Sequence, residues 1–240
     1  MGSRRFEIRS VGEFIDRVET DYSHTRERFM FRGQADNREY RLLPSAHRYR
    51  YRSTYVAMYN EWCRQAVATR ALPEDFLQRL ALAQHYGLPT KFLDWSLNPL
   101  VALFFAVEDE KNEYGSNVYV LNRGTVLALV STNDNDLDPQ ELYGCTPPSF
   151  DPRMHNQASL FTYHPSDRKA ARSDEPWVLP PDRYDILHVS CEDKGGVKDS
   201  LRTLGIHEGF IYPDLGGLAK QMVAKHATPA GDHNTHLQGV

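Results

Sequence analysis

The sequence contains few cysteines, and its three, Cys63, Cys145 and Cys191, are widely spaced. An odd number at such spacing argues against a disulfide framework and against a cysteine-based zinc site. The chain also has no apolar run of membrane-spanning length and no N-terminal run typical of a signal peptide. We therefore expect a cytoplasmic protein with no membrane contact and no bound metal.

Two common nucleotide-binding motifs are missing as well. The chain contains neither GxGxxG nor the P-loop pattern, so the folds that depend on them are not supported. Lysine is absent from residues 1–90, which hold 15 Arg and 11 acidic residues, whereas residues 91–240 hold 13 basic and 21 acidic residues. An arginine-only N-terminal part favours bidentate recognition of phosphate or carboxylate, and compositional drift is the alternative.

The apolar periodicity predicts a single α+β domain in which N-terminal helices precede a mixed or antiparallel sheet. We expect helices over residues 11–18, 54–71, 73–86, 100–107, 193–204 and 218–225. We expect strands over residues 29–33, 90–94, 117–122, 125–130, 160–163, 177–179, 184–189 and 210–212. The expected organisation is a helical segment over residues 1–27, one domain over 28–222 and a disordered tail over 223–240.

Arg32 stands in an apolar, strand-like segment between Phe31 and Gly33. A guanidinium buried there without a partner would be costly. It can clamp a phosphate bidentately, in which case Gly33 lets the ligand approach the backbone. It can equally pair inside the protein with an acid such as Asp94, and the sequence leaves both readings open.

Residues 84–96 also place polar side chains directly against apolar ones. His85, at a predicted helix end, can donate a proton or hydrogen bond to a ligand, or it can cap the carbonyls of its own helix. Asp94 can orient His85 or Arg32. Trp95 can stack on a base or nicotinamide ring or pack in the core, and Ser96 can cap the apolar helix that begins near Pro99.

A third group consists of arginines interleaved with tyrosine and histidine between residues 38 and 52. This combination suits contacts to phosphates and stacked bases of a nucleic acid, although a solvated face is the alternative. The candidate phosphate-binding or nucleic-acid-binding residues are Arg38, Arg41, Arg48, Arg50 and Arg52.

Several of these phrases together resemble the FRG-domain family, which is named for a Phe/Tyr-Arg-Gly motif. The phrases are FRGQ at residues 31–34, YRLLPS at 40–45 with Arg48, AQHYGLPTKFLDWS at 83–96, and the apolar ALFFA at 102–106. Arg153, Gln157 and the pair at 161–162 resemble a later family segment, as do residues 204–206 and 212–215. The resemblance covers about residues 28–222.

The chain is also similar, more distantly, to ADP-ribosyltransferases of the Arg-Ser-Glu class. By that likeness Arg32 holds the phosphates and ribose of NAD, and Ser96 matches the last serine of the class motif. The catalytic glutamate of the class falls near Gln157. The amide oxygen of Gln157 can accept a hydrogen bond from a ribose hydroxyl, but glutamine cannot act as a carboxylate. Glu208 and Asp214 are the carboxylates that could replace it.

The two resemblances imply an enzyme that uses NAD as substrate and transfers ADP-ribose to a protein or nucleic-acid acceptor. The second also implies a mixed or antiparallel sheet like that of the ADP-ribosyltransferases. Family association adds a role as toxin or anti-phage effector, with a neutralising antitoxin as partner. The alternatives are a non-catalytic module that binds a nucleotide or phosphate, and a nuclease that uses His85. The implied catalytic residues are Arg32, His85, Tyr86, Asp94 and Gln157, and the implied NAD-binding residues are Arg32, Gly33, Gln84, His85, Trp95 and Ser96.

Overall fold

The described part of the chain begins with a strand, and helices and strands are interspersed along it. A computed structural model describes residues 3–22, 29–36, 38, 42–48, 54–128, 141–146, 151–165 and 178–226. The helices are α1 (Val11–Tyr22), α2 (Tyr55–Ala66), α3 (Phe76–His85), α4 (Pro99–Val107), α5 (Pro152–Asn156), α6 (Lys194–Thr203), α7 (Glu208–Ile211) and α8 (Leu215–His226). Short 3-10 turns cover Ser45–His47, Arg123–Thr125 and Pro181–Arg183.

The strands form one mixed sheet. They are β1 (Arg5–Ile8), β2 (Phe29–Gln34), β3 (Phe92–Ser96), β4 (Ser116–Asn122), β5 (Leu127–Ala128), β6 (Tyr143–Cys145), β7 (Ser159–Tyr163) and β8 (Tyr184–Val189). Their order is β1-β8-β4-β2-β3-β7-β6-β5, with parallel pairing at the β1–β8 and β5–β6 ends and antiparallel pairing between. The α+β class with a mixed sheet, which the sequence predicts, is confirmed.

The sheet is nearly divided at its centre. Strand β2 pairs with β4 at six consecutive positions, and β3 pairs with β7 at five. Within these described strands, β2 and β3 pair only where Phe31 lies opposite Ser96. Beyond that pair the two strands diverge, so the sheet consists of a β1-β8-β4-β2 half and a β3-β7-β6-β5 half with a gap between them.

The helices that pack on the sheet share one face of it. One apolar cluster places α1, α4, α6 and α7 against the first half, and a second places α2, α3 and α5 against the other half. A third cluster, which includes Met30, Trp95 and Tyr119, covers the opposite face and draws its other members from strands and loops. The gap between β2 and β3 therefore opens toward the helical layer.

Helix α4 lies unusually close to β2. Its sequence is almost wholly apolar, Asn98 caps its first turn through a bond from the Leu100 amide, and Pro99 occupies the first turn. A Cβ atom on Gly33 would lie 1.9 Å from the carbonyl oxygen of Ala102 and 2.5 Å from the amide nitrogen of Ala106. Glycine at this position is therefore required by the approach of a helix.

Several elements differ from the prediction. Strands β1 and β6 and helix α5 were not predicted, and residues 210–212, predicted as a strand, fall mainly in helix α7. Helix α3 begins after Asp75, whose side chain caps it, and not at Pro73. Residues 129–130 and 177, which belong to two predicted strands, lie outside the described residues.

The C-terminal helix is longer than expected. Helix α8 reaches His226, so it includes the first residues of the segment predicted to be a disordered tail. It packs through Gly217 onto Tyr212 and exposes Leu215 and Val223. The remaining tail lies outside the described residues.

Candidate active site

A cleft of about 420 Å³ opens where β2 and β3 diverge. Its walls come from both strands, from the last turn of α3, from α4 and from α5. Eight of the nine residues predicted for catalysis or NAD binding line it: Arg32, Gly33, Gln84, His85, Asp94, Trp95, Ser96 and Gln157.

Arg32 occupies the gap between the two halves of the sheet. Its Nη1 donates to the carbonyl oxygen of Asp94 at 2.8 Å, and the same atom lies 3.8 Å from an Asp94 carboxylate oxygen. Its Nε is buried and has no hydrogen-bond partner among the described residues. Burial lowers the pKa of the guanidinium, which Asp94 partly opposes. The side chain lines the cleft and is 21% exposed, so part of it is accessible from there.

Asp94 and Gln84 form one hydrogen-bonded unit beside Arg32. Gln84 Nε2 donates to Asp94 Oδ1 at 2.7 Å, and Gln84 Oε1 accepts from the Thr90 hydroxyl. These two bonds fix the orientation of the Gln84 amide. Asp94 is held beside Arg32 by this contact, yet 60% of its side chain is exposed, so it is not part of a closed internal ion pair.

His85 is held by a carboxylate that sequence reasoning did not select. Its Nε2 lies 3.4 Å from Asp151 Oδ2, and Asp151 is the N-cap of α5. The turn that ends α3 sets this position, because Gly87 adopts a φ of +87° and Leu88 donates to the Ala83 carbonyl. Asp151, and not Asp94, is therefore the partner of His85.

The ring of Trp95 does not face the cleft. Trp95 is 3% exposed and packs in the cluster on the opposite face of the sheet, where its Nε1 donates to Thr162 Oγ1 at 2.8 Å. The prediction that it stacks on a ligand ring is wrong, because side chains alternate along a strand and Asp94 already takes the cleft side. The alternative reading, core packing, is the one observed.

Ser96 anchors β3 to the segment after α5. It is 4% exposed, its hydroxyl is 2.7 Å from the Gln157 carbonyl oxygen and 3.0 Å from that of Asn98, and it accepts from the Asn98 amide. It is not the cap of α4, a function that Asn98 performs. Gln157 in turn donates from Nε2 to the Ile211 carbonyl at 3.0 Å, so its amide ties α5 to α7.

Tyr86 lies outside the cleft. Its side chain is largely exposed and lines a separate groove with Trp62 and Leu88, between α2 and the end of α3. A position in catalysis beside Arg32 is therefore wrong for Tyr86. Its ring still contacts that of His85 edge-to-face, with the centroids 5.2 Å apart.

The predicted arginine cluster is only partly described. Arg38 pairs with Asp36 at 2.8 Å and lies over the Tyr114 ring, away from the cleft. Arg48 is close enough to lower the pKa of the Arg32 guanidinium. Arg41, Arg50 and Arg52 lie outside the described residues.

Strands β2 and β3 and helices α3 and α4, which form much of the cleft, lie in one continuous segment of the chain. Residues 27–115 match the family model of the FRG domain. No curated protein and no solved structure matches the chain, and the likeness to ADP-ribosyltransferases gains no support from these comparisons.

The cleft also contains a carboxylate, that of Glu108, which sequence reasoning missed. Glu108 follows α4 immediately, lines the cleft and is half-buried. Its Oε1 accepts from the Tyr212 hydroxyl at 2.8 Å. Burial raises the pKa of Tyr212, and the charge and hydrogen bond of Glu108 raise it further. A signal was available, since Glu108 is the first charged residue after an apolar helix.

Beyond the FRG match, α5 contributes a second guanidinium. Arg153 lines the cleft, and its guanidinium carbon lies 4.6 Å from the centroid of the Tyr212 ring. Glu208 and Asp214, proposed as replacements for the missing glutamate, do not line the cleft. Glu208 is buried against Arg202 at 2.7 Å, and Asp214 accepts from the Gly217 amide at the start of α8.

No helix among the described residues is long and apolar enough to cross a membrane. The same residues contain no group of three or more histidine, cysteine or acidic side chains placed to hold a metal ion.

Behind Arg32, on the face opposite the helices, lies the fully buried His164. Burial lowers its pKa well below the ordinary value, and the neighbouring His47 and Arg32 lower it further. The fold therefore holds a neutral imidazole, which shares a 2.8 Å hydrogen bond with Thr162 Oγ1. The unfolded chain, in contrast, protonates His164 below about pH 6.5.

We expect this depressed pKa to destabilise the protein in acid. The contribution of His164 is complete above about pH 6.5 and falls by up to about 1.4 kcal/mol per pH unit below it. Between about pH 7.5 and about pH 5, the wild type should therefore lose more unfolding free energy than His164→Gln in urea titrations. The exposed His155→Gln variant should match the wild type, and equal losses in all three proteins would contradict the assignment.

Proposed function

We propose that the cleft binds NAD and that the protein transfers ADP-ribose to a protein or nucleic-acid acceptor. The observation that carries the proposal is the convergence of Arg32, His85, Asp94 and Glu108 on one cleft. Phosphate recognition, orientation of a sugar and stabilisation of positive charge need a guanidinium, neutral hydrogen-bonding groups and carboxylates, and the cleft offers all three.

The residues present fit a diphosphate-bearing ligand. Arg32 lines the cleft and its side chain is 21% exposed, so a phosphate oxygen can reach the guanidinium. Its Nη1 donates to a main-chain carbonyl, so the planar fork can engage a phosphate without first breaking an internal carboxylate clamp. The volume of about 420 Å³ lies within the range of roughly 300–1,000 Å³ that small-molecule sites occupy.

The chemistry supplied by NAD is cleavage of the bond between nicotinamide and ribose C1′. Nicotinamide leaves with the bonding electron pair, the acceptor forms a new bond to C1′, and the acceptor loses one proton. Arg32 would neutralise the pyrophosphate, and Glu108 would stabilise the positive charge that develops on the ribose. His85, oriented by Asp151, would receive the acceptor proton or hydrogen-bond the ribose.

Glu108 takes the part that the family likeness assigns to a glutamate near Gln157. The Gln157 amide nitrogen is already bonded to the Ile211 carbonyl, and the residue carries no charge. Glu108 is half-buried, lines the same cleft and is oriented by the Tyr212 hydroxyl. A carboxylate in a partly dry site stabilises developing positive charge more strongly than one in water.

The proposal is tested by incubating the purified protein with labelled NAD, with and without cell extract. Nicotinamide release together with label on a macromolecule supports transfer, and release with free ADP-ribose shows that water is the acceptor. Nuclease or protease treatment of the labelled fraction identifies the acceptor class. A folded protein that neither releases nicotinamide nor binds NAD in calorimetry would overturn the proposal.

We expect Glu108→Gln to lower the rate of nicotinamide release about a hundredfold while KM for NAD changes little. The amide keeps the hydrogen bond from Tyr212 but removes the negative charge. Steady-state kinetics measured by chromatography of nicotinamide provide the test. Glu113→Gln, which changes a nearby exposed carboxylate that does not line the cleft, is the matched control. Equal activity of the two variants would rule out the role given to Glu108.

One observation favours a second candidate, a non-catalytic nucleotide-binding or phosphate-binding module. Gln157, which lies near the position of the class glutamate, has no carboxylate, and its amide is bonded to the Ile211 carbonyl of α7. Binding of NAD without release of nicotinamide would favour this candidate.

We propose a cytoplasmic toxin or anti-phage effector that acts where NAD is present, restrained by a neutralising partner protein. Induced expression of the wild type should arrest growth, whereas a variant without NAD turnover should not. Normal growth at equal expression of an active enzyme would argue against the toxin role.

A further inference from the structure

Two buried lysines of α6 are bonded to the walls of the cleft. Lys194 is fully buried and Lys198 is 6% exposed. Lys194 Nζ donates to the Ala35 carbonyl at 2.8 Å, and Lys198 Nζ donates to the Glu108 carbonyl at 2.7 Å. Four residues apart on one helix, the lysines face the same side. Each carbonyl that they hold belongs to a residue that lines the cleft.

The shortest bonds of both lysines go to these carbonyls. Glu208 and Glu110 form longer ion pairs with Lys198, with oxygens 3.8 and 3.9 Å from its Nζ. Lys194 has Asp36 and Asp109 as its acidic neighbours, and burial lowers its pKa. A buried ammonium is costly unless it is well solvated, and here the short bonds go to main-chain oxygens. The carbonyl of Glu108 also lies at the negative end of α4, which stabilises a cation there.

We propose that Lys194 and Lys198 are positioning residues for the cleft. Lys194 fixes the end of β2 just beyond Arg32, and Lys198 fixes the end of α4 at Glu108. The proposal rests on the proposed function, because it assigns to the lysines the placement of the groups that would bind and cleave NAD. Neither lysine touches the ligand.

Helix α7 and the residue after it also hold the cleft wall: the Ile211 carbonyl accepts from Gln157, and Tyr212 donates to the Glu108 carboxylate. Helices α6 and α7 both lie outside the segment matched by the FRG model. The positioning residues therefore come from a part of the chain that the motif does not include.

The test compares Lys198→Met with Arg202→Met. Both variants remove a cation of α6 that lies near Glu208, but only Lys198 is bonded to a cleft residue. We expect Lys198→Met to lower kcat for nicotinamide release about tenfold to a hundredfold, with KM less affected, because a shift of about 1 Å in a catalytic group has such an effect. Arg202→Met should lower thermal stability while kcat stays within about twofold of the wild type.

Hydrogen exchange provides a readout that does not depend on turnover. Lys198→Met should exchange at least about tenfold faster at the end of α4 and in the following turn, whereas Lys194→Met should do so around Ala35. Lys198→Arg, which keeps a donor, should restore most of the protection. If Lys198→Met does not fold, Lys194→Met carries the test through faster exchange around Ala35. Equal exchange and equal kcat in Lys198→Met and Arg202→Met would overturn the proposal. If the wild type shows no NAD turnover, the proposed function fails, and exchange alone decides the positioning role.

Discussion

Replacing Arg32 with alanine is expected to abolish most NAD turnover, lowering the rate of nicotinamide release about a thousandfold. Arg32 lines the cleft, and its side chain is 21% exposed. Removal takes away the group that would neutralise the pyrophosphate. It also takes away the bond to the Asp94 carbonyl that bridges the two halves of the sheet. Steady-state kinetics together with calorimetric NAD binding measure the effect.

Two controls separate charge from geometry. Arg32→Lys keeps a cation but loses the planar fork, so we expect it to recover less than a tenth of the lost activity. Arg64→Ala removes an exposed arginine that pairs with Glu61, and its kinetics should equal those of the wild type. An Arg32→Ala protein with a native circular dichroism spectrum and unchanged kinetics would remove Arg32 from the active site.

Gly33→Ala is expected to destabilise the protein by more than about 3 kcal/mol, enough to leave little folded protein. The added methyl would overlap main-chain atoms of Ala102 and Ala106, which cannot rotate away as a side chain can. Either α4 or β2 would have to shift, and both line the cleft. Urea unfolding followed by fluorescence measures the loss where enough folded protein is obtained, and the soluble yield reports it otherwise.

The matched control is Gly196→Ala in the exposed part of α6. A Cβ there meets no atom within 4 Å, so alanine should stabilise the helix by about 0.5–1 kcal/mol. The two identical changes should therefore have opposite signs. A Gly33→Ala protein as stable as the wild type would show that α4 does not approach β2 as closely as described.

The sequence predicts the elements around the cleft well where local patterns are strong. Helix α4 is a continuous apolar run with a proline in its first turn, and β2 and β3 are short apolar strands that end in polar residues. Local patterns did not reveal β1, because Arg5–Ile8 is mostly exposed at the sheet edge. Residues 210–212 have strand-forming side chains, but the cap at His207 starts a helix there.

The sequence predicts which residues line the cleft better than it predicts their hydrogen-bond partners. Short motifs bring Arg32, Gln84 and Asp94 together because β2, α3 and β3 are neighbours in the fold. The partners of His85 and Glu108 come from residues 151 and 212, far along the chain, and no local pattern links them. Trp95 was assigned to the wrong face because the register of β3 relative to the cleft is a tertiary property.

The segment matched by the FRG model contains only two strands of the sheet, and it would not be expected to fold by itself. Residues 27–115 include β2 and β3 but stop one residue before β4, which pairs with β2 along its length. The partner of β3 on its other side, β7, also lies beyond the match. A fragment with these ends would expose two long unpaired strand edges, a template for intermolecular pairing and aggregation. The matched segment therefore supplies the two central strands of the sheet, and their outer edges are paired by β4 and β7, which lie beyond it.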